Sequence, residues 1–420
     1  MHLYPALLAA ASEALAQVLE LKFPADSVLS RFFRENPALG QRDRAFVAET
    51  VYAVLRRRRY LERTTGVRST PRRLILAACL LLQGMNRRQL ADVLKASDEA
   101  WLTALYAPPE PPLTLAEQAD LPDWLADRLG AKMDAAALLT LAAALNQPAP
   151  LDLRVNPLKM TREDVLARLA ADGIEARPGQ YSPLAVRLAG KPALAQHPLF
   201  LEGAVEVQDE GSQLLAFLTA PRRGEMVADF CAGAGGKTLA LGALMRNTGR
   251  LYAFDVSDKR LIKLRPRLAR SGLSNVHPVR IAHENDSHVK RLAGKLDRVL
   301  VDAPCSGLGT LRRNPDLKWR QSAAGVAELA AKQRAILAGA ARLVKPGGRL
   351  VYATCSLLEE ENSAVVADFL AAHGEFQVQD AATSFGDVNI ALTGGPYLEL
   401  APHTHGTDGF FAAVMERNKA

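Results

Sequence analysis

The chain has 420 residues, which is too long for one ordinary hydrophobic core, so we expect two or three domains. About half of the residues are hydrophobic and 23% are charged, a balance that excludes a disordered chain. The formal net charge is +7, and residues 1–100 carry 16 Lys and Arg against 10 Asp and Glu. This basic first quarter favours a polyanionic partner, although the arginine run at 56–59 fits a solvated helix face equally well.

The four cysteines are scattered, so neither a disulfide framework nor a zinc cluster is expected. No stretch of about 20 apolar residues is present, and the first residues lack the basic leader of a signal peptide. We therefore expect a cytoplasmic protein with no membrane span and no metal. We also expect a monomer.

Residues 1–145 are predicted to form a helical domain. Ala and Leu recur at helical spacing through residues 1–105. The segment Pro-Pro-Glu-Pro-Pro at 108–112 cannot be helical and predicts a linker, after which the helical pattern resumes at Pro122 and runs to about Leu145.

Beyond prolines 148 and 150, residues 151–205 are predicted to form a small α/β module. Leu151 to Val155 alternates like a strand, and residues 184–188 form a second one. Between them, Thr161 and Asp164 have the spacing of a capping box, which predicts the start of a helix.

Apolar strands alternate with helices through residues 206–417, which predicts an α/β, doubly wound, Rossmann-like domain with a parallel sheet. Such sheets bind ligands at the carboxyl ends of their strands. The strands are predicted at Met226–Phe230, Arg250–Phe254, Val276–Ile281, Asp297–Val301 and Arg349–Ala353, and the helices at Lys237–Met245, Lys259–Ser271 and Val326–Val344.

A glycine-rich loop at 231–237 follows the first of these strands and opens a helix. Its glycines let the backbone approach a ligand, and the helix start offers free N–H groups. A P-loop is excluded because Cys231 stands where a glycine is required, and the third glycine of a dinucleotide fingerprint is absent. Asp255 ends the next strand and suits a ribose diol. Loop and acid together favour an adenosine-type cofactor.

Two cysteines follow neighbouring strand ends, Cys305 after Asp302 and Cys355 after Thr354. Adjacent strands lie about 4.8 Å apart, so both thiols are expected in one pocket. Free cysteines are often buried fillers, but a pair beside an acid and a cofactor loop favours catalysis. A thiolate adding to carbon 6 of cytosine makes carbon 5 nucleophilic enough to accept a methyl group, and Asp302 suits the ring nitrogens. Spacing alone does not say which thiol attacks.

These motifs resemble the Sun/Fmu (Nop/Sun) RNA cytosine-C5 methyltransferases over about residues 151–417. The resemblance rests on Leu-Arg-Val-Asn at 153–156, Val-Gln-Asp-Glu-Gly-Ser-Gln at 207–213, the glycine loop, Asp-Ala-Pro-Cys-Ser-Gly at 302–307, Thr-Cys-Ser at 354–356 and Asp-Gly-Phe-Phe at 408–411. It implies that Cys355 is the nucleophile and that Cys305 promotes product release.

The resemblance also implies that S-adenosylmethionine is the cofactor and RNA, in the first place ribosomal RNA, the partner. The implied cofactor contacts are Cys231, Ala232, Gly233, Ala234, Gly235, Gly236, Lys237, Asp255, Asp286 and Asp302. One departure is Ala234, where the family commonly has proline, so the loop is less rigid by sequence.

The N-terminal region resembles a NusB-like helical RNA-binding domain found in bacterial members that act on 16S ribosomal RNA, through the segment 39–47 and the helix that follows. After the first cysteine motif, Arg312, Arg313 and Lys318 are expected to contact RNA phosphates, whereas Trp319 is expected to pack.

Three alternatives remain open at the level of sequence. A transfer RNA is an alternative substrate. A DNA cytosine methyltransferase needs only a Pro-Cys nucleophile, so the second cysteine at 355 argues against it. A non-catalytic RNA-binding assembly factor would not need both cysteines, Asp302 and the glycine loop.

Overall fold

The computed structural model describes residues 3–66, 69–385, 388, 390–392 and 394–419. The chain divides into two compact units. The first, called here the helical unit, contains Met1–Pro148 and Thr310–Ala323. The second, the α/β unit, contains Ala149–Gly309 and Ala324–Ala420. No helix among the described residues combines the length and apolar character needed to cross a bilayer.

The described regular elements of the helical unit are helices, as the Ala and Leu spacing predicts. Buried Leu, Val and Phe side chains such as Leu15, Phe32 and Val51 form its core. Proline occupies the first turn at Pro5 and Pro71, where its missing N–H costs no hydrogen bond. The helices are Pro5–Leu19, Ala25–Glu35, Gln41–Arg56, Arg58–Thr65, Pro71–Leu81, Glu99–Ala104, Leu115–Gln118, Asp123–Gly130, Ala135–Leu145 and Leu317–Arg320.

The arginine run at 56–59 is engaged inside the helical unit. Arg57 Nε donates to Asp120 Oδ2 at 2.5 Å, and Arg59 Nη1 donates to Asp123 Oδ1 at 2.6 Å. The other two also have partners: Arg56 donates to the carbonyl of Arg312, and Arg58 donates to the carboxylate of Glu62. Two members of the run thus bind the chain that follows the proline-rich segment, and all four have partners in the helical unit.

Residues 310–323 pack into this helical unit, which overturns part of the expected RNA contact. Lys318 is 1% exposed, and its Nζ donates to the Arg56 carbonyl and to Asn146 Oδ1, both at 2.9 Å. Arg312 is also buried. The prediction that these two cations contact RNA is wrong, because both are enclosed by protein. The expected packing of Trp319 is confirmed, since its indole N–H donates to the Leu55 carbonyl at 2.8 Å.

The small module at the start of the α/β unit is an antiparallel sheet. Its strands are β1 (Leu151–Val155), β2 (Ala176–Pro178), β3 (Ala185–Leu188) and β4 (Val205–Val207), in the order β2-β3-β1-β4. Helices Arg162–Ala171 and Pro198–Leu201 accompany it. The capping box is confirmed, because the Thr161 hydroxyl accepts from the Asp164 N–H at 3.1 Å.

The large sheet contains the five parallel strands that the sequence predicts. They are β5 (Met226–Asp229), β6 (Arg250–Asp255), β7 (Val276–Arg280), β8 (Leu296–Asp302) and β9 (Val344–Thr354). Three further strands, missed by the sequence analysis, form an antiparallel edge: β10 (Phe376–Gln379), β11 (Tyr397–Leu400) and β12 (Phe410–Arg417).

The strand order is β10-β12-β9-β8-β5-β6-β7. The chain adds β6 and β7 on one side of β5 and then returns to add β8 on the other side, so the order of the strands reverses between β8 and β5. That reversal opens a crevice at the carboxyl ends of the strands, where doubly wound sheets bind ligands. Helices cover the sheet; they are Glu210–Thr219, Gly236–Leu244, Asp258–Ser271, Ser287–Lys290, Ala323–Ala341, Ser363–Ala372 and Pro402–His405.

The buried Lys318 generates a stability prediction. Lys318→Met removes a buried donor and leaves two part-buried carbonyl acceptors without it, so we expect the free energy of unfolding to fall by about 1–3 kcal/mol. Urea titration followed by circular dichroism measures it. Lys22→Met is the matched control, because Lys22 is exposed and forms only a surface ion pair with Glu20, worth about 1 kcal/mol at most. Equal effects of the two substitutions would contradict the anchoring role of Lys318.

Candidate active site

A cavity of 870 Å³ opens at the carboxyl ends of β5, β6, β8 and β9, entirely within the α/β unit. Ten of the predicted site residues line it: Cys231, Ala232, Gly233, Ala234, Gly236, Lys237, Asp255, Asp302, Cys305 and Cys355. Two others, Gly235 and Asp286, lie outside the lining. No group of His, Cys, Asp and Glu within the described ranges could hold a metal ion.

The glycine loop is shaped by two residues in the left-handed region, Gly233 with φ +57° and Gly235 with φ +88°. A Cβ at Gly235 would lie 2.1 Å from Leu264 Cδ1, so this glycine permits close packing below the loop and does not face the cavity. Gly233 faces the cavity, and its N–H donates to Asp255 Oδ2 at 2.8 Å. Asp255, itself buried, thus ties the loop after β5 to the end of β6.

Asp286 supports the cavity wall from behind. Its carboxylate accepts the backbone N–H groups of Ala282, at 2.9 Å, and His288, at 2.8 Å. These hydrogen bonds hold the pKa of the Asp286 carboxyl well below its usual range. Ala282 and its neighbour His283 line the cavity. Asp286 therefore does not face the cavity itself but holds residues that do.

The two thiols meet at adjacent strand ends. β8 and β9 run parallel, with Asp302 opposite Ala353, and Cys305 Sγ lies 3.4 Å from Cys355 Sγ. The hydrogen bond with Cys355 and burial raise the pKa of Cys305 well above its usual value. Both sulfur atoms face the cavity.

Lys237 and Asp302 form an ion pair beside the thiols, with Nζ 2.6 Å from Oδ2. Burial alone would lower the pKa of Lys237, but the charge and the hydrogen bond of the Asp302 carboxylate outweigh it and raise that pKa. Lys237 is therefore a charged ammonium at neutral pH.

Glu361, which the sequence analysis missed, joins the two cysteine loops. Its buried carboxylate accepts the Ser306 N–H at 2.8 Å and the hydroxyls of both Ser306 and Ser356, the residues that follow the two cysteines. The Gln333 side-chain amide donates to the same carboxylate at 2.9 Å. Its only sequence signal is a position five residues after Ser356, which by itself predicts nothing.

Two arginines, also missed, hold the carbonyl groups of the glycine loop. Arg154, on β1, donates to the Gly236 carbonyl at 2.6 Å, and Arg267 donates to the Ala234 carbonyl at 2.7 Å. Glu206, on β4, accepts from Arg267 Nη2 at 2.9 Å. The guanidinium of Arg267 thus holds Ala234 from outside the loop, which offsets the rigidity that a proline at this position would give.

Asp229 lies at the end of β5 in the cavity floor. Its Oδ2 accepts from the Thr238 hydroxyl at 2.7 Å, while its buried Oδ1 has no partner among the described residues. Burial raises the pKa of Asp229 to about 7, and the hydrogen bond from Thr238 only partly opposes that rise. This acid is therefore half protonated near neutral pH.

The sheet order and the cavity over its reversal define an S-adenosylmethionine-dependent methyltransferase fold. The crystal structure of PH0851 matches with a TM-score of 0.82 and 27% identity, covering 99% of this chain and 100% of that chain. A methyltransferase homolog from Pyrococcus horikoshii matches with a TM-score of 0.62 and 29% identity, over 72% of this chain and 97% of that chain. NSun6 from the same organism, solved with SFG, shares the fold with a TM-score of 0.63 and 22% identity, covering 71% of this chain and 99% of that chain.

Sequence comparison narrows the class to a family. The model described as 16S rRNA methyltransferase RsmB/F matches residues 216–416, and the RsmF/B-like ferredoxin-like domain matches 121–195, across the predicted joint at prolines 148 and 150.

Two relatives carry the name probable ribosomal RNA small subunit methyltransferase B. The one from Synechocystis is 39% identical, over 73% of this chain and 68% of its own length. The one from Bacillus subtilis is 33% identical, over 77% and 72%. The chain belongs to the 16S rRNA methyltransferase RsmB/F family, which confirms the resemblance predicted from its motifs.

We predict that Glu361→Ala lowers kcat for methyl transfer roughly 100-fold and leaves the KM for the methyl donor unchanged, because the cysteine loops lose their common acceptor. Steady-state kinetics measure both constants. Glu361→Gln keeps the shape and should restore part of the rate. Exposed Glu359→Ala on the same turn is the control. An unchanged kcat in folded Glu361→Ala would contradict the positioning role.

Asp229 generates a pH prediction. Its pKa rises from 3.8 to about 7 on folding, so the neutral carboxyl stabilises the fold fully below pH 4 and that stabilisation is lost as the pH rises to 7. In Asp229→Asn the side chain cannot ionise, so its contribution to stability does not fall as the pH rises. Relative to wild type, the variant should gain up to roughly 4 kcal/mol of unfolding free energy between pH 4 and pH 7, at about 1.4 kcal/mol per pKa unit. Urea titrations at several pH values measure it, with exposed Asp258→Asn as control. A pH-independent difference would refute the raised pKa.

Proposed function

We propose that this protein methylates carbon 5 of a cytosine in 16S ribosomal RNA, with S-adenosylmethionine as methyl donor. Cys355 is the attacking thiol, and Cys305 releases the product. The observation that carries the proposal is the pair of thiols 3.4 Å apart, opening into the same cavity as the glycine loop and Asp255. Membership of a ribosomal RNA methyltransferase family supports the substrate class. Four free cysteines are consistent with the reducing cytoplasm where such RNA is made.

The cavity fits the donor by its chemistry. Asp255 presents a carboxylate suited to ribose hydroxyls, and the left-handed Gly233 leaves open space beside the loop, with nothing within 4 Å of an added Cβ. Val256 and Ile281 add apolar wall for a flat base. Bound there, S-adenosylmethionine supplies an electrophilic methyl group. The glycine loop, Asp255 and Asp302 would hold it.

Attack begins at the Cys355 sulfur. Its thiolate forms a bond to carbon 6 of the ring, and the electron pair displaced from the 5,6 double bond makes carbon 5 nucleophilic. Lys237 places a positive charge in the part of the cavity where the thiolate forms, which favours that ionised sulfur. Asp302 lies on the same wall and hydrogen-bonds the ring edge as charge develops there.

Release requires a base for the carbon 5 proton. Before attack, the hydrogen bond with Cys355 is the main cause that raises the pKa of Cys305, so Cys305 keeps its proton. Once Cys355 is bonded to carbon 6 it is a neutral thioether and that cause disappears. Cys305 can then give its proton to solvent and, as a thiolate, accept the one from carbon 5. The electron pair of the carbon–hydrogen bond restores the double bond, and the carbon–sulfur bond breaks to regenerate the Cys355 thiolate.

Two substitutions test the roles of the thiols. Cys355→Ala should abolish methyl transfer, since no adduct forms. Cys305→Ala should accumulate a covalent protein–RNA adduct that survives a denaturing gel, since the proton on carbon 5 is not removed. Incubation with unmodified 16S ribosomal RNA and labelled S-adenosylmethionine reports both.

Cys79→Ala is the matched control, because Cys79 is buried in the helical unit and should retain activity. An adduct with Cys355→Ala and none with Cys305→Ala would reverse the roles. A labelled methyl group on any atom other than cytosine C5 would contradict the proposed reaction.

A further inference from the structure

The helix Asp258–Ser271 concentrates more positive charge than its own contacts use. It carries six cations and a single acid, Asp258. Its buried residues, Leu261, Leu264 and Ser271, face the sheet, so the cations lie along its outer sides. We call this element the basic helix; its cations are Lys259, Arg260, Lys263, Arg265, Arg267 and Arg270.

Half of these cations have partners within the α/β unit. Arg267 binds the Ala234 carbonyl and Glu206, and Arg270 binds the same Glu206. Arg260 lies 3.8 Å from Asp255 Oδ2 and lines the cavity. These three side chains support the cofactor loop and the cavity wall.

The other three, Lys259, Lys263 and Arg265, are exposed and make no hydrogen bond or ion pair with any part of the chain that the structure describes. The positions of Lys259 and Lys263 oppose helix stability. Lys259 lies in the first turn, where the helix dipole disfavours a cation. Lys259, Lys263 and Arg267 follow one another at i,i+4 spacing, which places like charges side by side. A surface with these local costs and no internal partner is suited to an external anion.

The location of the basic helix suggests which anion. It begins three residues after Asp255, and Ser257 and Arg260 line the cavity, so its first turns form the rim of that cavity. Lys259 and Lys263 lie one turn apart on one side of the helix, and Arg265 lies about half a turn round from Lys263, so positive charge covers both exposed sides. A substrate carrying one negative charge per nucleotide complements these unpaired cations. The arginine run at 56–59, the strongest basic signal of the sequence, is occupied by partners inside its own unit.

We propose that Lys259, Lys263 and Arg265 bind backbone phosphates of the RNA substrate beside the cavity. The proposal rests on the proposed function only in taking RNA as the partner. The basic helix then supplies the electrostatic part of RNA binding by the α/β unit, and this part does not depend on the nucleotide sequence.

The test is a triple variant, Lys259→Gln, Lys263→Gln and Arg265→Gln, whose substitutions retain helix-forming residues. Binding of in vitro-transcribed, unmodified 16S ribosomal RNA is measured by fluorescence anisotropy between 50 and 250 mM salt. We expect about tenfold weaker binding near 100 mM salt and a slope of log K against log salt that is shallower by about two to three. Calorimetric binding of S-adenosylmethionine should be unchanged, because none of the three lines the cavity.

The matched control removes the same charge from the opposite edge of the sheet: Arg222→Gln, Arg223→Gln and Lys295→Gln. These exposed cations precede β5 and β8 at their amino ends. Unchanged RNA binding by the triple variant, or an equal loss in the control, overturns the proposal. Wild-type protein that binds RNA but transfers no methyl group to cytosine C5 refutes the proposed function alone, since the binding comparison does not depend on transfer.

Discussion

The carboxylate of Glu361 is the acceptor on which the geometry of the thiol pair depends. It is buried, and it receives hydrogen bonds from the residues that follow both cysteines, so the ends of β8 and β9 share one anchor. A buried carboxylate is costly unless its oxygens are satisfied, and here Ser306, Ser356 and Gln333 satisfy them. The same hydrogen bonds therefore hold the loops in which the Cys305 and Cys355 sulfurs lie 3.4 Å apart.

The glycine loop is likewise held by hydrogen bonds from charged side chains. Arg154 and Arg267 donate to carbonyls of the loop, and Glu206 on the small module joins them. A loop with alanine in place of proline has more conformations to lose on binding. Bonds from outside restrict those conformations, so the small module contributes to the cavity without lining it with its own catalytic groups.

Charge is divided between structural and external uses. The arginine run at 56–59 and Lys318 are taken up by contacts inside the helical unit. On the basic helix, Arg267 and Arg270 are likewise paired, whereas Lys259, Lys263 and Arg265 are not. Counting charges along a sequence does not separate these cases, because an ion pair joins residues that are distant along the chain.

The sequence by itself determined the elements whose signals are local. Alternation predicted β5 to β9, a glycine run predicted the cofactor loop, and the two cysteine motifs predicted a pair of thiols at neighbouring strand ends. Each of these depends on residues within about ten positions of one another, where strand period and turn chemistry operate. In the antiparallel edge, β10 and β11 have only four residues each, and β12, with eight, is buried along six consecutive residues and shows no alternation, so the pattern was too weak.

Only the tertiary structure decided which distant groups meet. Lys318 donates to Asn146, 172 positions away, and Arg154 to Gly236, 82 positions away. Ser306 and Glu361 are 55 positions apart. Such bonds form because packing brings buried polar groups together and leaves them no water to bind, a condition that no local pattern encodes. For that reason the sequence predicted the pair of thiols, and the fold supplied the contacts that hold them.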